Sequence, residues 1–222
     1  MTECVVILHG LGRSAKSMFL ITSRLRQQGY LVYCKSYPSR DYPIEKLAEL
    51  AIAPALQWSR LHGATKVHFV THSLGGILVR YYLQYQHIDN LGRVVMLSPP
   101  NQGSEVTELL FKLPLYRLFS GPVGLQLRTT ADSLPNQMEP VKAEIGIIAG
   151  ARSSDPWFSM FLNERSDGKV TINNTKLDEM CDFLVVRHGH TYIMNSLRVI
   201  EQVRHFLVNG KFDRDKSNGG RK

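Results

Sequence analysis

The sequence predicts an α/β domain with a mostly parallel central sheet of about six strands and helices on both faces. Three observations carry this. Six short runs are almost continuously apolar, at 5–8, 31–34, 67–71, 94–97, 145–149 and 183–186. Parallel strands covered on both faces read this way, whereas half-exposed strands alternate apolar and polar residues. Between the runs lie stretches of helical period, and strand–helix alternation implies right-handed crossovers in one sheet. No linker or internal repeat divides the 222 residues, which suffice for one sizeable core.

The elements follow in order. After the first run, Met18, Ile21 and Leu25 mark a helix stopped by Gly29. Ile44, Leu47, Ala51, Trp58 and Leu61 mark a longer helix, with a kink expected at Pro54. The third helix spans 74–86, and Leu197, Ile200, Val203 and Leu207 mark the last, with Gly210 just past its end. Residues 101–140 are too long for a plain crossover and read as a small lid-like insertion, with no large cap domain. The domain is expected to span 1–210, with 211–222 a flexible tail.

Composition narrows the function classes. The net charge is +8, but the basic residues are scattered and match no recognition motif, so no nucleic-acid partner is expected. The charge also allows weak contact with an anionic membrane surface, although a solvated surface accounts for it better. No apolar run reaches the roughly 18 residues of a spanning helix, and no signal peptide is visible. A cytoplasmic location is expected unless a leader was removed. Cys4, Cys34 and Cys181 lack zinc-ligand spacing and read as buried free thiols, so no metal or other cofactor is expected.

The chemistry concentrates at strand ends. The third run leads into Thr71-His72-Ser73-Leu74-Gly75-Gly76. A serine held between a strand and a helix is presented above the sheet on a strained turn, and small residues after it let strand and helix approach. Ser73 is therefore the candidate nucleophile. Thr71 departs from the usual G-x-S-x-G pattern, and a plain N-cap would also place a serine there. Acyl transfer needs N–H groups aimed at a developing oxyanion. Leu74, the residue after the nucleophile, should supply one. Leu11, in His9-Gly10-Leu11-Gly12 after the first strand, should supply the other. His190, in the loop after the last strand, is the candidate base, and nearby His188 is read as structural. The other histidines lack such a context, and His72 is expected to point away from the site. The acid should lie between Ser73 and His190 in the chain. Asp155 and Asp167 lead, ahead of Asp178 and Asp182.

These residues, with Pro99-Pro100-Asn101-Gln102-Gly103-Ser104, Ser166-Asp167-Gly168 and His190-Thr191, resemble the α/β-hydrolase superfamily, in particular its small bacterial lipase and esterase-like branch. The resemblance covers nearly the whole chain. It implies that the Asp-Gly turn supplies the acid, which favours Asp167 over Asp155. Some bacterial lipases also carry a non-glycine residue where Thr71 stands. It further implies hydrolysis of a small-molecule or lipid ester through an acyl-enzyme. Acyl transfer, thioester or amide cleavage, and a non-catalytic binding member remain alternatives on the same residues. The dense apolar stretch 109–119 suggests an acyl pocket using Leu110 and Phe111, and hence an uncharged ester or thioester with an apolar acyl chain.

Overall fold

The computed structural model describes residues 2–153 and 164–215, without the side chains of Arg117 and Phe119. Asp155 lies outside the described residues. The six strands are β1 (Glu3–Leu8), β2 (Leu31–Tyr33), β3 (Lys66–His72), β4 (Leu91–Leu97), β5 (Glu144–Gly150) and β6 (Asp182–Val186). They form one sheet in the order β2-β1-β3-β4-β5-β6, every neighbouring pair parallel.

Strand side chains alternate between two cores, as a period of two requires. Val6, Leu8 and Phe69 face one side, where Leu47 and Ile52 of α2 (Ile44–Leu61) and Ile77 and Leu78 of α3 (Leu74–Tyr85) cover them. Val5, Ile7 and Val70 face the other, under Ile21 and Leu25 of α1 (Phe19–Gln27) and Val199, Val203 and Phe206 of the C-terminal helix, Leu197–Asn209. The last helix ends as expected on Gly210, in the left-handed conformation. Pro54 lies within α2, which continues through it as one helix.

Boundaries differ from the sequence reading where burial is partial. β3 and β4 begin at Lys66 and Leu91, residues that lie outside the dense apolar runs yet still pair in the sheet. Residues 101–140 form α4 (Glu105–Leu110), α5 (Pro114–Gln126, kinked at Gly121, φ 61°) and α6 (Leu134–Gln137). Gln126 ties this segment to α2. Its Oε1 accepts the Ile44 N–H at 2.7 Å, and its amide donates to the Glu45 carboxylate at 2.8 and 2.9 Å. Beyond the last helix, Phe212 is buried against Phe206, and the Asp213 N–H donates to Gln202. Chain order reverses across the sheet at β1, so the loops after β1 and β3 open side by side, where ligands of α/β sheets bind.

Candidate active site

Ser73 stands between β3 and α3 with φ 51° and ψ −119°, a region costly for any residue but glycine. Its N–H donates to the Leu97 carbonyl at 2.9 Å and its own carbonyl accepts the Gly76 N–H, so the strain is held from both sides. The close strand–helix approach is built on the following glycines. A Cβ on Gly75 would come 2.8 Å from the Leu8 carbonyl oxygen. One on Gly76 would come 3.1 Å from Pro99 Cβ and 3.3 Å from Met96 Sδ.

Asp167 and His190 meet as the sequence order anticipates. His190 Nδ1 lies 2.8 Å from Asp167 Oδ2, and the His190 N–H donates to the Asp167 carbonyl at 3.0 Å. An ionised carboxylate only accepts, so the proton sits on Nδ1 and leaves Nε2 free to act as a base. Asp167 Oδ1 accepts the N–H groups of Lys169 and Val170 at 3.0 and 2.9 Å. Burial pushes this carboxyl up, but the His190 charge and hydrogen bonds from His190, Ser98 and Val170 outweigh it and hold its pKa below the ordinary value.

Ser73 and His190 line one cavity of about 190 Å³ with Gly10, Leu11, Leu110 and Tyr116. Pro100 and Ser104, from the Pro…Gly-Ser loop, also line it. Leu11 thus lines the same cavity as Ser73. Leu74 is the first residue of α3, where the helix offers its N–H no acceptor. Phe111 is not among the residues lining the cavity. It lies under the Arg128 guanidinium, 5.7 Å from its ring centre, because the helical turn that directs Leu110 inward carries the next residue round the helix. His188 is not among the residues lining the cavity, and its Nε2 lies 2.9 Å from Ser196 Oγ.

Four supporting residues escaped the sequence reading. His72 does not point away from the site. Its ring lies 4.9 Å from that of His190, and its Nε2–H donates to the His190 carbonyl at 2.9 Å. Burial, then the His190 charge, holds its pKa well below the usual histidine value, so it stays neutral. Ser98 takes a positive φ of 46°, donates to Asp167 and accepts the Gly150 N–H at 3.2 Å. Gly150 itself is required by proximity, since a Cβ there would fall 2.7 Å from Asp167 Cβ. His9 shapes the Leu11 loop. Its Nδ1–H donates to the Gly10 carbonyl at 2.9 Å and its Nε2 accepts the Tyr37 N–H at 3.2 Å, with the two rings stacked 4.1 Å apart. A contact 28 residues away in the chain leaves no periodic trace.

A doubly covered parallel sheet with a serine turn after β3, an acid after β5 and a histidine after β6 is the layout of an α/β hydrolase. The chain belongs to the alpha/beta hydrolase family, whose pattern it matches over residues 5–195. No curated protein sequence matches it. Among solved structures it is similar to the mature Bacillus licheniformis lipase BlEst2, at 19% identity over 87% of this chain and 86% of that one, with a TM-score of 0.69. It is also similar to the Legionella pneumophila phospholipase PlaB, at 17% identity over 92% of this chain and 57% of that one, TM-score 0.67. A third is the Pyrococcus furiosus esterase Pf2001, at 16% identity over 94% and 83% of the two chains, TM-score 0.64. At these identities the likeness is one of fold. No helix among the described residues is long and apolar enough to cross a membrane. Cys4 is buried and Cys34 half-buried, but Cys181 is exposed, against the expectation of three buried thiols, because it lies in the turn entering β6.

Proposed function

We propose that the chain is a serine esterase that cleaves carboxylic esters with an apolar acyl chain through an acyl-enzyme on Ser73. The observation that carries the reading is the buried Asp167–His190 pair, 2.8 Å apart, on the same cavity as the strained Ser73. His190 Nε2 takes the hydroxyl proton as Ser73 Oγ attacks the ester carbonyl. The N–H groups of Leu11 and Leu74 hold the oxyanion. The imidazolium, steadied by Asp167, returns the proton to the leaving alkoxide as the ester C–O bond breaks. Water, deprotonated in turn by His190, then releases the acid and restores Ser73.

The acyl group packs against the apolar lining residues Val106, Leu110 and Leu127. At about 190 Å³ this space is below the roughly 300–1,000 Å³ of drug-sized ligand sites, which suits a short chain. Leu115 and Leu118 on α5 are 79% and 83% exposed, and they offer the weak membrane-surface contact for which the net charge is suited. Free cysteines are in keeping with a cytoplasmic location. The test is steady-state hydrolysis of acetyl and butyryl esters of one phenol. Burial worth about 0.8 kcal/mol per methylene gives a kcat/KM gain of about fourfold for each methylene buried. Ser73→Ala must abolish both activities. A flat series contradicts the acyl pocket, and turnover by Ser73→Ala contradicts the mechanism.

A further inference from the structure

We propose that the alcohol part of the substrate carries an anionic group, phosphate or carboxylate, and that Arg13 binds it. The inference rests on the esterase reading and names the substrate class of the same cavity.

The charges around the cavity point this way. Arg13 and Lys169 line it, and no aspartate or glutamate is among the described residues that do. Of the acids next to lining residues, Glu105 accepts the Thr171 hydroxyl, and Asp167 is buried on His190. Its side chain has 0% exposure, with Oδ2 on His190 and Oδ1 on two main-chain N–H groups. The cavity lining thus combines positive charge with apolar side chains.

Arg13 is placed to use that charge. It closes the turn after β1, its N–H donating to the Gly10 carbonyl at 3.2 Å, two residues beyond Leu11. The turn that would aim the Leu11 N–H at the ester oxygen therefore also fixes the root of the guanidinium. Its positive charge is felt within the site, since it contributes to holding His72 neutral. Arg13 is half-buried, and among the described residues it forms no ion pair. A partly desolvated guanidinium without a carboxylate is unfavourable alone and favourable once an anion arrives. Its planar fork matches phosphate or carboxylate oxygens. The fitting substrate is an amphipathic ester: a short apolar acyl group on an alcohol that bears an anion. This departs from the uncharged ester expected from the sequence.

The test compares butyryl esters of one phenol scaffold carrying a phosphate, a carboxylate, a neutral amide or a trimethylammonium group. Ratios of kcat/KM within one protein preparation cancel any difference in folded fraction. A charge-assisted contact predicts a wild-type preference of about tenfold or more for an anionic over the neutral ester. Arg13→Gln should bring that ratio near one, Arg13→Lys should keep part of it, and Arg13→Glu should turn the preference toward trimethylammonium. Added salt should weaken the wild-type preference. In parallel, calorimetry measures binding of the uncleavable butyramide analogues bearing phosphate or the neutral amide. Tighter binding of the phosphate form, lost in Arg13→Gln, supports the site even if no ester is cleaved, an outcome that would sink only the esterase reading. A wild-type ratio of one or less, or a preference and phosphate binding that survive in Arg13→Gln, overturns the assignment of Arg13.

Discussion

The imidazole of His72 holds the main chain of His190, its Nε2 2.9 Å from the His190 carbonyl oxygen, although 118 residues separate the two in the chain. The residue before the proposed nucleophile thus positions the residue proposed as its base. His72→Ala removes the donor and frees the His190 loop. Small misplacements of catalytic groups cost up to about a hundredfold, so kcat should fall about ten- to hundredfold with KM little changed. His72→Gln, whose amide can donate to the same carbonyl, should recover part of the loss. An alanine variant with wild-type kcat would show that the contact positions nothing.

Buried neutral histidines make stability sensitive to mild acid. Burial lowers the pKa of His9, His68 and His72, most of all His72. As pH falls below the unfolded value of about 6.5, the unfolded chain takes up protons that the folded one refuses, and stability drops. Tm should therefore decline from pH 7 toward pH 5, and His72→Gln should make the decline shallower. Thermal melts across that range check both points, and an identical slope in the variant would contradict the assignment.

Asp167 contributes in a lower window. Its pKa is depressed, so its stabilising contribution is complete above the ordinary carboxylate value of about 3.9 and is lost as pH falls through the folded value. Its proposed kinetic role is larger. Asp167→Asn leaves an amide able to favour the wrong imidazole tautomer, and the rate of ester hydrolysis should fall by about 10⁴-fold. His188→Ala, which breaks only the contact with Ser196, should stay within about threefold of wild type. If Asp155→Asn proves the more damaging carboxylate change, the acid must be reassigned.

Two neighbouring residues distinguish the proposed acyl pocket from general packing. Leu110 lines the cavity, whereas Phe111 lies against Arg128. Leu110→Asp should flatten the acetyl-to-butyryl rise in kcat/KM while the acetyl ester is still cleaved. Phe111→Asp should leave the rise in place. Equal effects on the series would place Leu110 in the scaffold.

Where the sequence could be read, the physics was local. A buried parallel strand declares itself by a continuous apolar run, and the runs ending at Leu8, Thr71 and Leu97 lie within β1, β3 and β4. Ser73 was legible because strand, small residues and helix follow one another in the chain. His190 and Asp167 were legible as loop residues after β6 and β5, although choosing Asp167 over Asp155 needed the family resemblance. His72, Ser98, His9 and Gly150 were not legible, because each acts through a contact fixed only when distant loops meet. Phe111 was misread because apolar density does not tell which side of a short helix faces a cavity.

The most direct measurement is intact-mass and peptide mapping after brief exposure to a fluorophosphonate probe, which labels a serine only when a base activates it. A site built from Ser73, Asp167 and His190 requires one adduct, on Ser73, absent from Ser73→Ala and formed far more slowly by His190→Ala. A folded wild-type protein that stays unlabelled, or labels at another serine, would contradict the assignment of Ser73 as nucleophile.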